Sequence, residues 1–258
     1  MKIALCLSGH TRSYKKTYRY WCENVFKKYD MDIFISTWEG SGFTKNHSFA
    51  YLHIQDELPK TDAEFNNVDP KIDQDEIRKM FNPKAMIVDS PDNPTINDIR
   101  SKFIGRLDGC RVQVESVALM YYRIFDCNNL KKKYEAENNM KYDIVIRSRF
   151  DLAMTHLNLD EDMNGAHVKI RRHVVDGMND TMWFANSDIM DKICDLYTML
   201  DVDYLSGNYN ADKLLKNRID SQSIPYHHCM NFGYIFVKPP HAIDYDSGTY
   251  IAPYDDFV

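Results

Sequence analysis

The chain has 258 residues, 44% of them hydrophobic and 27% charged, with a formal net charge of −6. That length holds one large α/β domain or two small ones around a substantial core, and the composition is that of a folded globular protein. The acidic balance argues against a general nucleic-acid binder, which needs a basic face to meet phosphates, yet it leaves room for a small anion held by a few arginines.

Six cysteines are scattered along the chain without a CxxC pair. This reads as buried thiols in a reducing compartment, not as a disulfide framework or zinc site. The first apolar run, Ile3 to Leu7, is too short for a signal peptide, and no stretch reaches transmembrane length. The expectation is a cytoplasmic protein.

Lys2 to Ser8 reads as a short buried strand that runs into Gly9, His10, Thr11, Arg12 and Ser13. A strand, a small-residue loop and then a helix is the arrangement that sets backbone N–H groups against phosphates. Helical spacing covers Tyr14 to Tyr29, and Asp32 to Trp38 (DIFISTW) is a second buried strand. This β-loop-α-β opening predicts a parallel sheet. Ser41 to Asp75 is polar and acidic, and reads as an excursion over the sheet edge. A short helix is expected over Asp75 to Phe81 and a third strand over Lys84 to Asp89, closed by a turn around Pro91 and Pro94.

The longest helical pattern spans Cys110 to Asn138, with a core-facing stripe including Tyr121 and a solvated end over Lys131 to Glu137. Strands follow over Ala166 to Arg172, Thr181 to Ala185 and Phe232 to Val237. Helices follow over Ser187 to Leu200, capped by Ser187, and over Asn210 to Asp220. The tail beyond Pro240 is expected on the surface. No linker marks a boundary, so one domain is predicted.

The stretch most concentrated in chemistry is Tyr142 to Leu152, YDIVIRSRFDL. Read as one strand, its alternation sends Val145, Arg147, Arg149 and Asp151 to one face. Two arginines and an aspartate would then project from the C-terminal end, where open α/β sheets bind ligands. An ordinary ion pair between Arg149 and Asp151 at a solvated strand end is the other reading.

The loop IALCLSGHTRSY, the strand DIFISTW and the strand YDIVIRSRFDL, in that order, resemble a group of bacterial and viral glycosyltransferase-like proteins allied to the nucleotide-sugar-binding GT-A fold. The resemblance covers about the first 155 residues and extends weakly to Asp180-Thr181-Met182-Trp183-Phe184. It implies a single GT-A-like, Rossmann-related α/β domain with a mainly parallel central sheet flanked by helices. Residues 1–155 would form a nucleotide-sugar-binding half, 156–240 an acceptor half and 241–258 a surface tail. The implied activity is transfer of a hexosyl or pentosyl unit from a UDP- or GDP-linked sugar to a glycan or other acceptor, in bacterial or (for a virus) host cytoplasm.

GT-A enzymes usually carry Asp-x-Asp after the central strand, where a carboxylate holds a divalent ion against the diphosphate. Here those positions read Arg149-Phe150-Asp151. A guanidinium binds phosphate oxygens in pairs, while Asp151 retains one carboxylate for Mg²⁺ or Mn²⁺, so metal dependence stays open. The resemblance assigns the donor to Ser8, Gly9, His10, Arg12, Trp38, Arg147 and Arg149. Asp151 is the metal candidate and, with Asp180, a catalytic candidate. Asp180 is the first choice of base, ahead of Asp176 and His173, with His227 and His228 expected to be structural.

Competing readings remain. A nucleotidyltransferase or methyltransferase is disfavoured by the absence of GxGxxG and GxxxxGK[ST]. A silent carbohydrate- or nucleotide-binding protein would use Trp38 and Trp183 as platforms. A purely structural protein leaves the arginines unexplained.

Overall fold

The computed structural model describes residues 1–12, 14–42, 71–103, 114–154, 157–159, 168–173, 177–200, 236–237, 242–244 and 249–251. Its elements are β1 (Ile3–Gly9), α1 (Tyr14–Trp21), β2 (Asp32–Trp38), α2 (Gln74–Phe81), β3 (Ala85–Asp89), α3 (Pro94–Phe103), α4 (Val114–Glu137), β4 (Ile144–Ser148), β5 (Leu152–Met154), β6 (Val168–His173), β7 (Gly177–Ala185), α5 (Ser187–Cys194), α6 (Leu196–Met199), β8 (Phe236–Val237), β9 (Ala242–Asp244) and β10 (Thr249–Ile251). The expected helix over Asn210 to Asp220 lies outside the described residues.

The main sheet has the order β3-β2-β1-β4-β7-β6-β8. β1 lies parallel to both β2 and β4, and β2 to β3. β7 runs antiparallel to β4 and to β6, while β8 is parallel to β6. The fold is therefore mixed α/β with a mainly parallel central sheet flanked by helices, as anticipated. The chain leaves β1 toward β2 on one side, and β4 returns on the other. Open α/β sheets have their crevice at such a reversal, outside the C-terminal ends of the strands, here those of β1 and β4.

Strand alternation divides the core. Ala4, Cys6, Phe34, Val145 and Trp183 face α4, where Val117, Ala118, Tyr121 and Ile124 are buried against them. Leu5, Leu7, Ile33, Ile35, Ile146 and Phe184 face the other way, with Trp21 of α1 and Phe81 of α2. Each such large side chain contributes about 1.5–3 kcal/mol by leaving water.

Several boundaries differ from the sequence expectation. The helix expected to reach Tyr29 is α-helical only to Trp21 and continues as a π-helical turn over Cys22–Phe26. α3 is an additional helix. It opens with Pro94 at its first position, where a missing N–H costs nothing, and the Asn93 side chain accepts from Thr95 N at 2.9 Å. α5 is capped by Asn186, whose side chain accepts from Ile189 N, instead of by Ser187. Ser187 is occupied elsewhere, donating to Glu135 Oε1 at 2.6 Å. The supposedly solvated end of α4 buries Lys131, whose ammonium sits 2.8 Å from Asp191 and 3.1 Å from Glu135. Beyond Pro240, β9 and β10 pair antiparallel, and β9 pairs with β5, forming a second small sheet.

The most consequential difference is at YDIVIRSRFDL. β4 ends at Ser148, residues 149–151 turn, and the chain re-enters as β5 in the second sheet. Alternation holds for Val145 and Arg147 but does not extend to Arg149 and Asp151.

Candidate functional site

Four parallel strands end on one edge of the sheet, at Gly9, Trp38, Asp89 and Ser148. After β1, Gly9 adopts φ +102° and Arg12 φ +41°. A non-glycine residue in this left-handed region costs on the order of 1 kcal/mol, so the surroundings must hold Arg12 there. They do so through Arg12 N donating to Ser41 O at 2.8 Å, while the next helix is entered by Tyr14 N donating to Thr11 O at 2.9 Å. Thr37 Oγ1 donates to Gly9 O at 2.7 Å, fixing the loop to β2. The excursion after β2 leaves and returns at one place, because Gly40 bridges Lys71 and Ile72 N donates to Glu39 O.

Across the crevice, Arg12 Nη1 donates to Asp151 Oδ2 at 2.8 Å. Arg149 donates to the same carboxylate through two nitrogens, Nε to Oδ1 at 2.8 Å and Nη2 to Oδ2. Asp151 is 2% exposed, whereas the side chains of Arg12 and Arg149 are 23% and 22% exposed. The Arg149–Asp151 pair of the bland reading is thus real, but its carboxylate is not solvated and a third residue shares it. Two guanidiniums meet over one buried carboxylate at the point where the sheet reverses.

The turn carrying Arg149 and Asp151 is fastened to the helix that follows Arg12. Thr17 Oγ1 donates to Phe150 O, Trp21 Nε1 to Leu152 O at 2.7 Å and Asn24 Nδ2 to Met154 O at 2.9 Å. Donors four and three residues apart on a helix share one face. Alternate carbonyls on a strand share one edge. Asn24 lies in the π-helical turn. Each rung contributes about 1 kcal/mol, and together they set the distance between the two arginine-bearing loops.

A second charged cluster lies on the α4 side. Arg123, fully buried, ion-pairs with Asp89 and lies 3.7 Å from Asp126. Its Nη1 donates to Ser36 Oγ at 3.1 Å, and its guanidinium centre is 4.4 Å from the Trp38 ring and 4.7 Å from that of Tyr122. Burial raises the Asp126 carboxyl above its usual range, against the lowering effect of Ser36 and Arg123. Sequence reasoning passed over Arg123. The available signal was an arginine beside the apolar stripe of a helix that packs on the sheet.

The remaining candidates separate accordingly. Arg147 is 1% exposed, its Nε donating to Ser8 Oγ at 3.3 Å and its guanidinium centre 4.7 Å from the Trp183 ring. It therefore packs on the α4 face beneath the edge and is not carried alongside Arg149 by a common strand. Ser8 is likewise buried. Trp38 and Trp183 are 7% and 0% exposed, so neither is an open stacking platform. His10 lies 5.9 Å from the Trp38 ring and close over Gly42, where a Cβ would come within 2.4 Å of its ring.

Asp180 lies in β7. Ser148 at the end of β4 pairs with Met182, which puts Asp180 two residues further along the same edge. The β6–β7 ladder also breaks there. Ile170 faces Trp183 and Arg172 faces Met178, so two steps of β6 answer five of β7. His173 is at the end of β6, and Asp176, His227 and His228 lie outside the described residues.

Both oxygens of Asp151 accept from guanidiniums, so a cation would have to displace one of them. Among the described residues no group of three or more His, Cys, Asp or Glu side chains is disposed to hold a metal ion. The sequence left metal dependence open; in the structure the carboxylate of Asp151 is engaged by Arg12 and Arg149. None of the described helices is long and apolar enough to cross a membrane.

No protein-family model matches the chain, and no curated protein matches it. Solved structures that it resembles include glycosyltransferases. Mouse xyloside xylosyltransferase 1 in its apo form aligns at 9% identity and TM-score 0.43, covering 92% of this chain and 83% of that one. The galactosyltransferase LgtC with donor and acceptor sugar analogues aligns at 10% and 0.36, covering 92% and 73%. An active-site mutant of LgtC aligns at 9% and 0.34, covering 89% and 70%. At these identities and scores the likeness specifies neither donor nor acceptor for this chain.

Proposed function

We propose that the protein transfers a sugar from a nucleotide-sugar donor, UDP- or GDP-linked, to a glycan or other hydroxyl acceptor. The observation that carries this reading is the meeting of Arg12 and Arg149 over Asp151 in the crevice between β1 and β4. Breaking the bond to a nucleoside diphosphate leaves negative charge on its phosphates. Fixed guanidiniums stabilise that charge without having to reorganise during the reaction. Arg147, with its charge buried beneath the same edge, adds to the local field. The base and ribose would lie toward the loops that follow β1 and β2, by His10 and the rim of Trp38. The resemblance of the three sequence motifs supports the same assignment.

Asp180 is the proposed base for the acceptor hydroxyl. Its support is the register that carries β7 past the end of β4, and the irregular ladder there. Such bulges re-aim side chains near active sites. Asp180→Asn is nearly isosteric, so a base at this position loses transfer about 10²-fold or more while donor affinity is kept.

The decisive experiment is a screen of UDP- and GDP-sugars for hydrolysis and for transfer to simple glycosides. Turnover of at least one donor, lost in Arg149→Ala, is the expected result. Absence of both nucleotide binding and turnover across the donor panel would overturn the reading.

A further inference from the structure

The sequence suggested Asp151 as a metal ligand, and its contacts indicate another role. We propose that Asp151 is a positioning residue that orients Arg12 and Arg149 into a seat for a diphosphate, and that this seat binds without a divalent cation. The proposal rests on the nucleotide-sugar reading above for the identity of the natural ligand, but not for its physics.

The geometry points this way for three reasons. First, Asp151 is 2% exposed and accepts from three guanidinium nitrogens on two residues. A carboxylate already bonded on both oxygens has little to offer Mg²⁺, which demands near-ideal octahedral oxygens and retains waters. Second, a guanidinium has two donor edges fixed in one plane. Arg149 gives its Nε–Nη2 edge to Asp151, and this fixes its other edge to point away from the carboxylate. Both arginines are about one-fifth exposed, so the carboxylate holds them from below while they reach the edge of the crevice. Third, the triad spans the reversal point of the sheet, where ligands of open α/β folds bind.

Two further observations concern the same spot. The Thr11 hydroxyl is fully buried and has no hydrogen-bond partner among the described residues. It sits one residue before Arg12, in the loop that leads into α1. The backbone of Arg12 is held in the left-handed region, a strained conformation of the kind retained at ligand clamps. A pair of guanidiniums then does the electrostatic work that a divalent ion does elsewhere, with a directional fork in place of a point charge.

The test is calorimetric, on the full chain, with UDP, GDP and inorganic pyrophosphate as probes, each in EDTA and again in Mn²⁺. The expected result is that at least one probe binds in EDTA within about twofold of its affinity in Mn²⁺. Losing one charge-assisted contact is worth about tenfold or more in affinity. Arg149→Lys, which keeps the charge and removes the fork, should therefore weaken that probe about tenfold in EDTA. Asp151→Asn should weaken it as well, although it removes a competing negative charge, because the guanidiniums lose their orientation. If Asp151→Asn fails to fold by circular dichroism, Arg149→Lys carries the same test. Binding that appears only with Mn²⁺ overturns the proposal and leaves the sugar-transfer reading standing. Tighter or unchanged binding in folded Asp151→Asn overturns the positioning role. No binding of any probe in either condition overturns the seat itself. Probe binding in EDTA with no turnover of any nucleotide sugar leaves the seat intact and removes the sugar-transfer reading.

Discussion

Two arginine–carboxylate clusters sit at the same edge of the sheet and use the same chemistry to opposite ends. On the α4 side, one guanidinium, Arg123, is fully buried among two carboxylates, Asp89 and Asp126, and between the rings of Trp38 and Tyr122. Across the crevice, two partly exposed guanidiniums, Arg12 and Arg149, share the single buried carboxylate of Asp151. The cation is fully buried in the first cluster and about one-fifth exposed in the second. A guanidinium walled in by rings and acids joins α4 to β2 and β3. A pair held from below at a crevice can meet an anion. The two clusters differ in which partner the fold leaves near water: the carboxylates in the first, the guanidiniums in the second.

The largest expected effect breaks the first cluster. Arg123→Met leaves Asp89 and Asp126 without their shared cation, and loss of one partner from a buried pair costs about 3–5 kcal/mol. Urea unfolding should show that loss. Arg149→Ala should cost clearly less stability, because Arg12 still bridges to Asp151. Instead it should weaken nucleoside diphosphate binding by roughly 1.5–3 kcal/mol. Equal stability losses in the two variants would erase the distinction between the clusters.

An intermediate effect tests how the second cluster is held. Asn24→Ala removes one rung between the π-helical turn and β5, at a cost of about 1 kcal/mol in unfolding free energy. Because the ladder spaces the arginine loops, diphosphate affinity should fall with it, although Asn24 touches no ligand. Lost stability with unchanged affinity would make the ladder purely structural.

The smallest effect lies beside α1. The Glu76 carboxyl is held below its ordinary value of 4.5, chiefly by the hydrogen bond from Lys15 and then by that from Tyr14. Its folded value is depressed, so the contribution is present at neutral pH and fades as the pH falls through the folded value. Both partners are substantially exposed, which limits the gain of wild type over Glu76→Gln to under about 1 kcal/mol. Thermal unfolding should show a small difference at pH 7 that closes below pH 4.5. A gap that widens in acid would contradict the assignment.

Much of the fold was legible because its signals are local. Short β-branched runs such as Ile33 to Ile35 and Ile144 to Ile146, separated by helical spacing, announce a parallel sheet without knowledge of contacts. Arg12, Arg149 and Asp151 were legible as charged residue types at strand ends. Their geometry was not, because the alternation argument assumed one strand where a turn intervenes after Ser148. Pairing energy ends β4 there: β5 finds its partner in β9, far along the chain, and no local pattern reports a partner some ninety residues away. Arg123 was passed over and Lys131 was placed on a solvated end for the same reason, since the acids that bury them include Asp89 of β3 and Asp191 of α5.

By itself, then, the order of residues determined the strands of the central sheet, the long helix and the identity of the charged groups at the sheet edge. Only the tertiary structure decided which arginine lies buried and which reaches the crevice, and that Asp151 holds guanidiniums instead of standing open. Periodicity is written in neighbouring residues, whereas the burial and pairing of a charge depend on what distant segments bring within a few ångströms of it.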